Sequence, residues 1–524
     1  MKKDHLFYMD DLKLYAQNDE QLESLLHTVK MFSDDINMQF GLDKCAKATF
    51  KRGKLTETSA IEIDEATSIQ EIDQEGTYKY LGINEGDGIQ HSVMKEKIRK
   101  EYCRRVKLVL KSELNAGNKI TAINTLAVPV LTYSFNVVNW TLQEIRKLDR
   151  KTRKILTMYR MNHPKADVDR IYISRKEGGR GLIQLECTFK TTTIGLDTYL
   201  RGKNEKLLRQ LCYHEERKKL YSVQKEANKF RREIQMQDIE EEESASPTKC
   251  AREAKKYAKK RIMEIMKENW EAKPMHGQYP VRVNKVDVDK EGTHKWLKSA
   301  SLKGETEGFI VAAQDQSLAT NNYRNKIIKD GTNPKCRLCH EYDETIEHII
   351  SGCPVLAKKE YLERHDKALI YMHWKICKHY DIAVPSRWYE HKPSTVMEGK
   401  DVIILWDMPI HTDKEITANR PDIVIKDKKE NKCIFIDMSV PSERNVANKE
   451  TEKLSKYKDL EIEINKMWNM KTTTVPVIVG ALGLIRKRMN DHVSKIPGRI
   501  CIEEIQKIVL LGTSHILRRA LFIT

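Results

Sequence analysis

Apolar runs at Leu6-Phe7-Tyr8 and Leu12-Lys13-Leu14-Tyr15 flank Met9-Asp10-Asp11, a pattern that predicts a β-hairpin at the start of the chain. Asn18 with Gln21 then forms a helix start of capping-box type, and Leu22, Leu25, Leu26, Val29, Phe32 and Ile36 return to one face at helical spacing. Short strands are expected at 47–51 and 78–83, and several helices with basic outer faces across 92–158. From about 200 to 275 large aliphatics thin out and charge accumulates: Glu240 to Glu243, the breaker Ser244-Ala245-Ser246-Pro247, then Lys255, Lys256, Lys259, Lys260 and Arg261. This stretch reads as a linker followed by a basic helix. That helix is open to two readings, a solvated face or a phosphate-tracking or nuclear-targeting surface. Further on, Arg420-Pro421-Asp422-Ile423-Val424-Ile425 and Cys433-Ile434-Phe435-Ile436-Asp437 read as strands about a polar turn. A helix follows with Leu454, Tyr457 and Leu460 on its apolar side, then a buried strand and turn at 475–483 and a final helix through Leu517-Arg518-Arg519. No internal repeat is present.

The 524 residues suggest three or four domains. Lys and Arg number 93 against 76 Asp and Glu, a net charge of +17 that points to a polyanionic partner. The longest apolar stretch, 475–485, contains two glycines and falls well short of the roughly 20 residues that span a bilayer, and the opening Met-Lys-Lys-Asp-His leads into no secretory core. The chain is therefore expected in the nucleus or cytoplasm, neither secreted nor in a membrane. Eleven scattered cysteines, an odd number, do not form a disulfide framework, so a close cluster of them reads as a metal site.

Three motifs carry chemistry. In Tyr8-Met9-Asp10-Asp11, adjacent carboxylates at a turn are costly without a positive partner, and divalent metal is the usual one; a plain acidic turn is the alternative. Cys336-x2-Cys339-x8-His348-x4-Cys353 has the ligand types and spacing of a structural zinc site, with His340 as an alternative ligand. In the third motif, a turn centred on Lys429-Glu430 pairs residues whose numbers sum to 859, which places Asp422 opposite Asp437. Cross-strand Cβ atoms lie about 4.5–5.5 Å apart, so both carboxylates could reach one magnesium ion. Two solvent-facing aspartates on an edge hairpin are the alternative. Lys449, Lys453 and Lys456 share one face of the following helix.

Together these motifs resemble the site-specific non-LTR retrotransposon polyprotein, with reverse transcriptase, CCHC zinc knuckle and restriction-enzyme-like endonuclease. The YxDD hairpin, the helix after it, Phe40-Gly41-Leu42-Asp43-Lys44-Cys45 and Tyr78-Lys79-Tyr80-Leu81-Gly82 resemble the palm and its primer grip. Arg175-Lys176-Glu177-Gly178-Gly179-Arg180-Gly181-Leu182 resembles the segment after the thumb. The resemblance implies a multidomain α+β chain: palm remnant at 1–90, helical thumb at 91–190, basic helical linker at 191–330, zinc knuckle region at 331–380 and α/β endonuclease at 381–524. It implies magnesium at Asp10 and Asp11 in a polymerase site lacking its third aspartate, the chain being the surviving end of a longer polyprotein. It implies structural zinc at the CCHC residues and a nuclease centre of Asp422, Asp437 and a helix lysine, Lys456 first and Lys453 second. Position 439, where the wider nuclease type carries lysine, is Ser439. The implied activity is magnesium-dependent nicking of target DNA that primes reverse transcription, with element RNA or an RNA–DNA hybrid as further partner and the polymerase half inactive. The alternative is a non-enzymatic, zinc-containing nucleic-acid-binding remnant.

Overall fold

In the computed structural model, which describes residues 4–64, 67–72, 76–86, 88–217, 222–236 and 246–522, the first hairpin pairs β1 (His5–Tyr8) with β2 (Asp11–Leu14). Tyr8 stands opposite Asp11, and Met9 takes the positive φ of 55° that the tight turn needs. Helix α1 (Asp19–Asp35) starts where Asn18 Oδ1 accepts from the Gln21 amide at 3.0 Å. The reciprocal bond goes to the Gln17 amide instead of the cap's own. Of the apolar face only Leu26 is buried, against Ile61 and Ile69 of the small hairpin β3 (Ile61–Asp64) and β4 (Thr67–Ile69). Two short strands cannot cover a helix of five turns, and Phe32 and Ile36 stay exposed. The hairpin β5 (Tyr78–Tyr80) and β6 (Ile83–Gly86) turns through Leu81 and Gly82, both at positive φ, as a two-residue hairpin loop requires. These elements belong to one compact unit, Met1–Arg104 with Val130–Ile145; a second comprises Arg105–Pro129 with Arg146–Thr524.

The second unit contains the stretch read as a linker, and the described part of it is packed helix. Glu240 to Glu243, Ser244 and Ala245 lie outside the described residues. Ser246 and Pro247 open helix α3 (Pro247–Ala272): the serine hydroxyl caps the Lys249 amide and proline takes the first turn, where its missing N–H costs nothing. The helix buries Ala251, Ala254 and Ala258 along one stripe, continued by Ile262, Met266 and Trp270. The alanines let the neighbouring helix α2 (Leu185–Gly202) approach closely. Lys255, Lys256, Lys259 and Lys260 occupy the exposed face.

The Arg175-to-Leu182 segment is held from inside. Arg180 Nη2 lies 2.9 Å from Glu307 Oε1, Arg175 also pairs with Glu307, and Arg170 Nη1 lies 2.6 Å from Asp315 with its guanidinium 4.8 Å from the Trp270 ring centre. Glu307 and Asp315 are buried, as are Arg170 and Arg180. A Cβ at Gly179 would fall 2.1 Å from the Ile173 carbonyl oxygen, so only glycine permits this close approach.

The remaining fold is a five-stranded sheet in the order β7 (Val396–Glu398), β8 (Val402–Trp406), β9 (Ile423–Asp427), β10 (Lys432–Ser439), β11 (Lys471–Ile478). All pairs are antiparallel except β10 with β11, which are joined through helices α5 (Val446–Lys456) and α6 (Lys458–Trp468). Both faces are covered, which is why the central strands read as near-continuous apolar runs. Ile423, Ile425, Ile436, Met438, Val475 and Val477 meet Ala368, Met372 and Ile376 of α4 (Glu360–His379) and Val509 of α7 (Ile502–Leu521). Val424, Cys433 and Phe435 face Tyr457, Leu460 and Ile464 on the other side. At about 1.5–3 kcal/mol for each large side chain removed from water, these two layers are the main support of the sheet. Helix α4 thus packs with the sheet, although the sequence grouped it with the zinc knuckle. The molecule is a multidomain chain of mixed α and β structure. Among the described residues no helix is long and apolar enough to cross a membrane.

Candidate metal and nuclease centres

The register of β9 and β10 follows the rule read from the turn: Ile423 opposes Ile436, Val424 opposes Phe435, Asp427 opposes Lys432. Asp437 is on β10, and Asp422 immediately precedes β9. Asp422 Oδ2 accepts from the Met438 amide at 2.6 Å and lies 3.3 Å from His365 Nε2. Asp437 is buried; Lys453 Nζ lies 2.6 Å from its Oδ2, and the Tyr457 hydroxyl donates to its Oδ1 at 2.7 Å. Lys456 Nζ is 3.9 Å from the same Oδ1 and donates to the Tyr457 hydroxyl at 2.7 Å. Thus Lys453 makes the direct ion pair, while Lys456 reaches Asp437 through Tyr457. Lys449 turns away to Glu452.

Burial raises the Asp437 carboxyl and the nearby Asp422 charge raises it further, against the lowering pull of Lys453 and Tyr457. Burial would depress the His365 imidazolium, but hydrogen bonds to Asp366 and Asp422 outweigh it and raise the group to about 10. Two acids therefore stand between two cations, Lys453 and His365. Among the described residues, neither aspartate belongs to a group of three or more His, Cys, Asp or Glu side chains that could hold a metal ion. His365 was not anticipated from sequence: it stands more than fifty residues from the hairpin, and no spacing rule links the two.

Cys336, Cys339, His348 and Cys353 come together, with all four ligand atoms within 4.8 Å of one another. Cys339 Sγ lies 3.4 Å from His348 Nε2, near the roughly 3.5 Å that zinc–sulfur and zinc–nitrogen bonds of about 2.3 and 2.0–2.1 Å give at a tetrahedral centre. The first knuckle is shaped by backbone bonds: the Cys336 amide donates to the Tyr342 carbonyl, the His340 amide donates to the Cys336 carbonyl, and the Leu338 amide points at Cys336 Sγ from 3.4 Å. His340 takes a positive φ of 61°, is exposed and is not part of the group. Thr345 caps the helix Ile346–Ser351 through the His348 amide, which sets His348 in its first turn. Cys353 is held by its amide, which donates to the Tyr361 hydroxyl at 3.0 Å. Burial raises the Cys336 thiol and depresses the His348 imidazolium. This cluster can hold a metal ion, and three sulfurs with one imidazole suit a soft or borderline cation.

Asp10 and Asp11 are exposed at the tip of the first hairpin. Among the described residues no third carboxylate, histidine or cysteine joins them in a metal-holding group.

No known family model matches the sequence. The chain is 25% identical over 194 residues to an uncharacterized protein of Caenorhabditis elegans, an alignment that covers 35% of this chain and 53% of that protein. The chain thus spans about half the length of the relative it matches.

Proposed function

We propose that this chain is part of a site-specific non-LTR retrotransposon polyprotein whose surviving activity is metal-dependent nicking of target DNA. The observation that carries the reading is that Asp422 and Asp437 each lie one residue beyond the last paired residues of β9 and β10, Ile423 and Ile436, close enough for the Asp422 charge to raise the Asp437 carboxyl, with the Lys453 ammonium 2.6 Å from Asp437. Asp422 and Asp437 would hold magnesium, which when bound supplies Lewis-acid stabilisation of charge on the scissile phosphate. Lys453 and Lys456 offset phosphate charge and orient the attacking water, and Tyr457 keeps the Asp437 carboxylate turned toward the site. The CCHC cluster would take structural zinc and grip nucleic acid, either target DNA or the element's RNA or RNA–DNA hybrid, in the nucleus or cytoplasm. The exposed Asp10 and Asp11, which no third acid joins among the described residues, make the reverse-transcriptase half an incomplete polymerase site.

The test is conversion of supercoiled plasmid to nicked circles in magnesium by the full chain and by Asp437→Ala. Nicking by the wild type and none by the variant supports the reading; equal nicking by both overturns it. One observation favours a second reading, a non-enzymatic nucleic-acid-binding remnant: Asp422 and Asp437 already have His365 and Lys453 as cationic partners. Salt-sensitive DNA binding with no magnesium-dependent cleavage would select it.

A further inference from the structure

Helix α4 carries His373 and Cys377 four residues apart, hence on one face. His391, which follows the short turn Trp388–Glu390, closes over them. Nδ1 of His373 lies 2.8 Å from Nε2 of His391 and 3.5 Å from Cys377 Sγ, and the three ligand atoms all lie within 4.8 Å of one another. Met397 of β7 adds a thioether sulfur 3.9 Å from Cys377 Sγ. His373 and Cys377 are 0% exposed and His391 5%. The Trp406 ring stands edge-on to His373 at 5.5 Å.

We propose that His373, Cys377 and His391, with Met397 as fourth ligand, form a second metal site that binds a thiophilic d10 cation, zinc or copper(I). Two imidazoles, one thiolate and one thioether converging in a buried place are a soft donor set that hard magnesium or calcium would not select. A hydrogen bond between the two imidazoles accounts for their 2.8 Å separation alone; it does not account for the Cys377 sulfur beside them with the Met397 sulfur 3.9 Å from it. Cys377 Sγ is also 4.0 Å from Nε2 of His373, so it rests beside the ring face. Binding draws the sulfur toward the ring plane, breaks the imidazole–imidazole bond and releases the thiol proton to solvent. His373, Cys377 and His391 are all buried, so the role of the site is structural: it ties the loop of His391 and edge strand β7 to α4, beneath the sheet that carries Asp437. The proposal is independent of the nuclease reading and of the CCHC cluster.

The experiment is metal analysis by mass spectrometry on the full chain as purified, together with Cys339→Ser, Cys377→Ser and His391→Gln. Two equivalents in the wild type are expected, with one lost in Cys377→Ser, one in His391→Gln and one, from the other cluster, in Cys339→Ser. A single equivalent that Cys339→Ser removes, and that Cys377→Ser and His391→Gln leave in place, overturns the proposal. Should Cys377→Ser fail to fold by circular dichroism, cobalt titration of the metal-stripped wild type decides. Two phases, the second with the weaker thiolate charge-transfer band of one sulfur ligand, support the site; saturation at one equivalent overturns it. Competition with a copper(I) chelator then tells which of the two ions is held.

Discussion

Lys453 and Asp437 form an ion pair of 2.6 Å near the C-terminal end of the interior strand β10, whereas Lys456, one turn further along the same helix, meets Asp437 only at 3.9 Å. The two lysines should therefore separate in function. Lys453→Met is expected to cost about 3–5 kcal/mol of stability, because it takes from a buried carboxylate its direct cation, and to lower plasmid nicking at least 100-fold. Lys456→Met should cost under 1 kcal/mol and lower nicking less. Denaturant titrations and nicking rates on both variants check the order, and equal losses would count against the distinction.

Tyr457→Phe removes the hydroxyl that donates to Asp437 and accepts from Lys456. The expected loss is about 1–2 kcal/mol. Because Asp437 then loses a donor that favours its charged form, its carboxyl should rise further, and the acid limb of the nicking profile should move to higher pH. A pH–rate profile of the variant reads this directly, and an unmoved limb would show that Asp437 does not set it.

Glu443 lies wholly inside the protein, where its carboxylate accepts from the Leu482 amide, and burial raises its carboxyl to about 7. An unfolded glutamate releases its proton near 4.5, so between about pH 4.5 and 7 the folded state holds one proton more. Stability from this group is then present below pH 4.5 and falls as pH rises through 7, by about 3 kcal/mol in all. Glu443→Gln should remove that slope. Urea midpoints at pH 5 and 7.5 for both proteins test it; an unchanged difference would mean the group titrates normally.

Chelation of a bound metal, or Cys339→Ser, should loosen the region from Cys336 to Cys353. Tyr361 holds this knuckle to the start of α4, and Cys336 and Cys353 share an apolar cluster with Leu482 and Ile516. Loss of even a few kcal/mol should lower the melting temperature by roughly 10 °C. Differential scanning fluorimetry with and without a zinc chelator provides the measurement.

What could be read beforehand was local. The β9–β10 register followed from a turn and a period of two, and the CCHC group from spacing, because in both cases the partners are close along the chain. Neighbours distant in sequence were hidden. His365 reaches Asp422 only because α4 lies across the sheet, and nothing in the pattern around His365 announces it. Helix α3 was missed as a packed element because its contact stripe is mostly alanine. Lys453 and Lys456 share a helix face by spacing, but only side-chain reach distinguishes them.

The guanidinium groups of Arg170, Arg175 and Arg180 bear on the net charge from which a polyanionic partner was inferred. Each is spent on Glu307 or Asp315 within the protein, and the acids they hold are hidden as well. Formal charge therefore does not map potential. Three guanidinium groups share two carboxylates, so this cluster keeps one unit of its formal charge, and that unit is held in the interior; a polyanion at the surface would instead meet exposed cations such as the lysine row of α3.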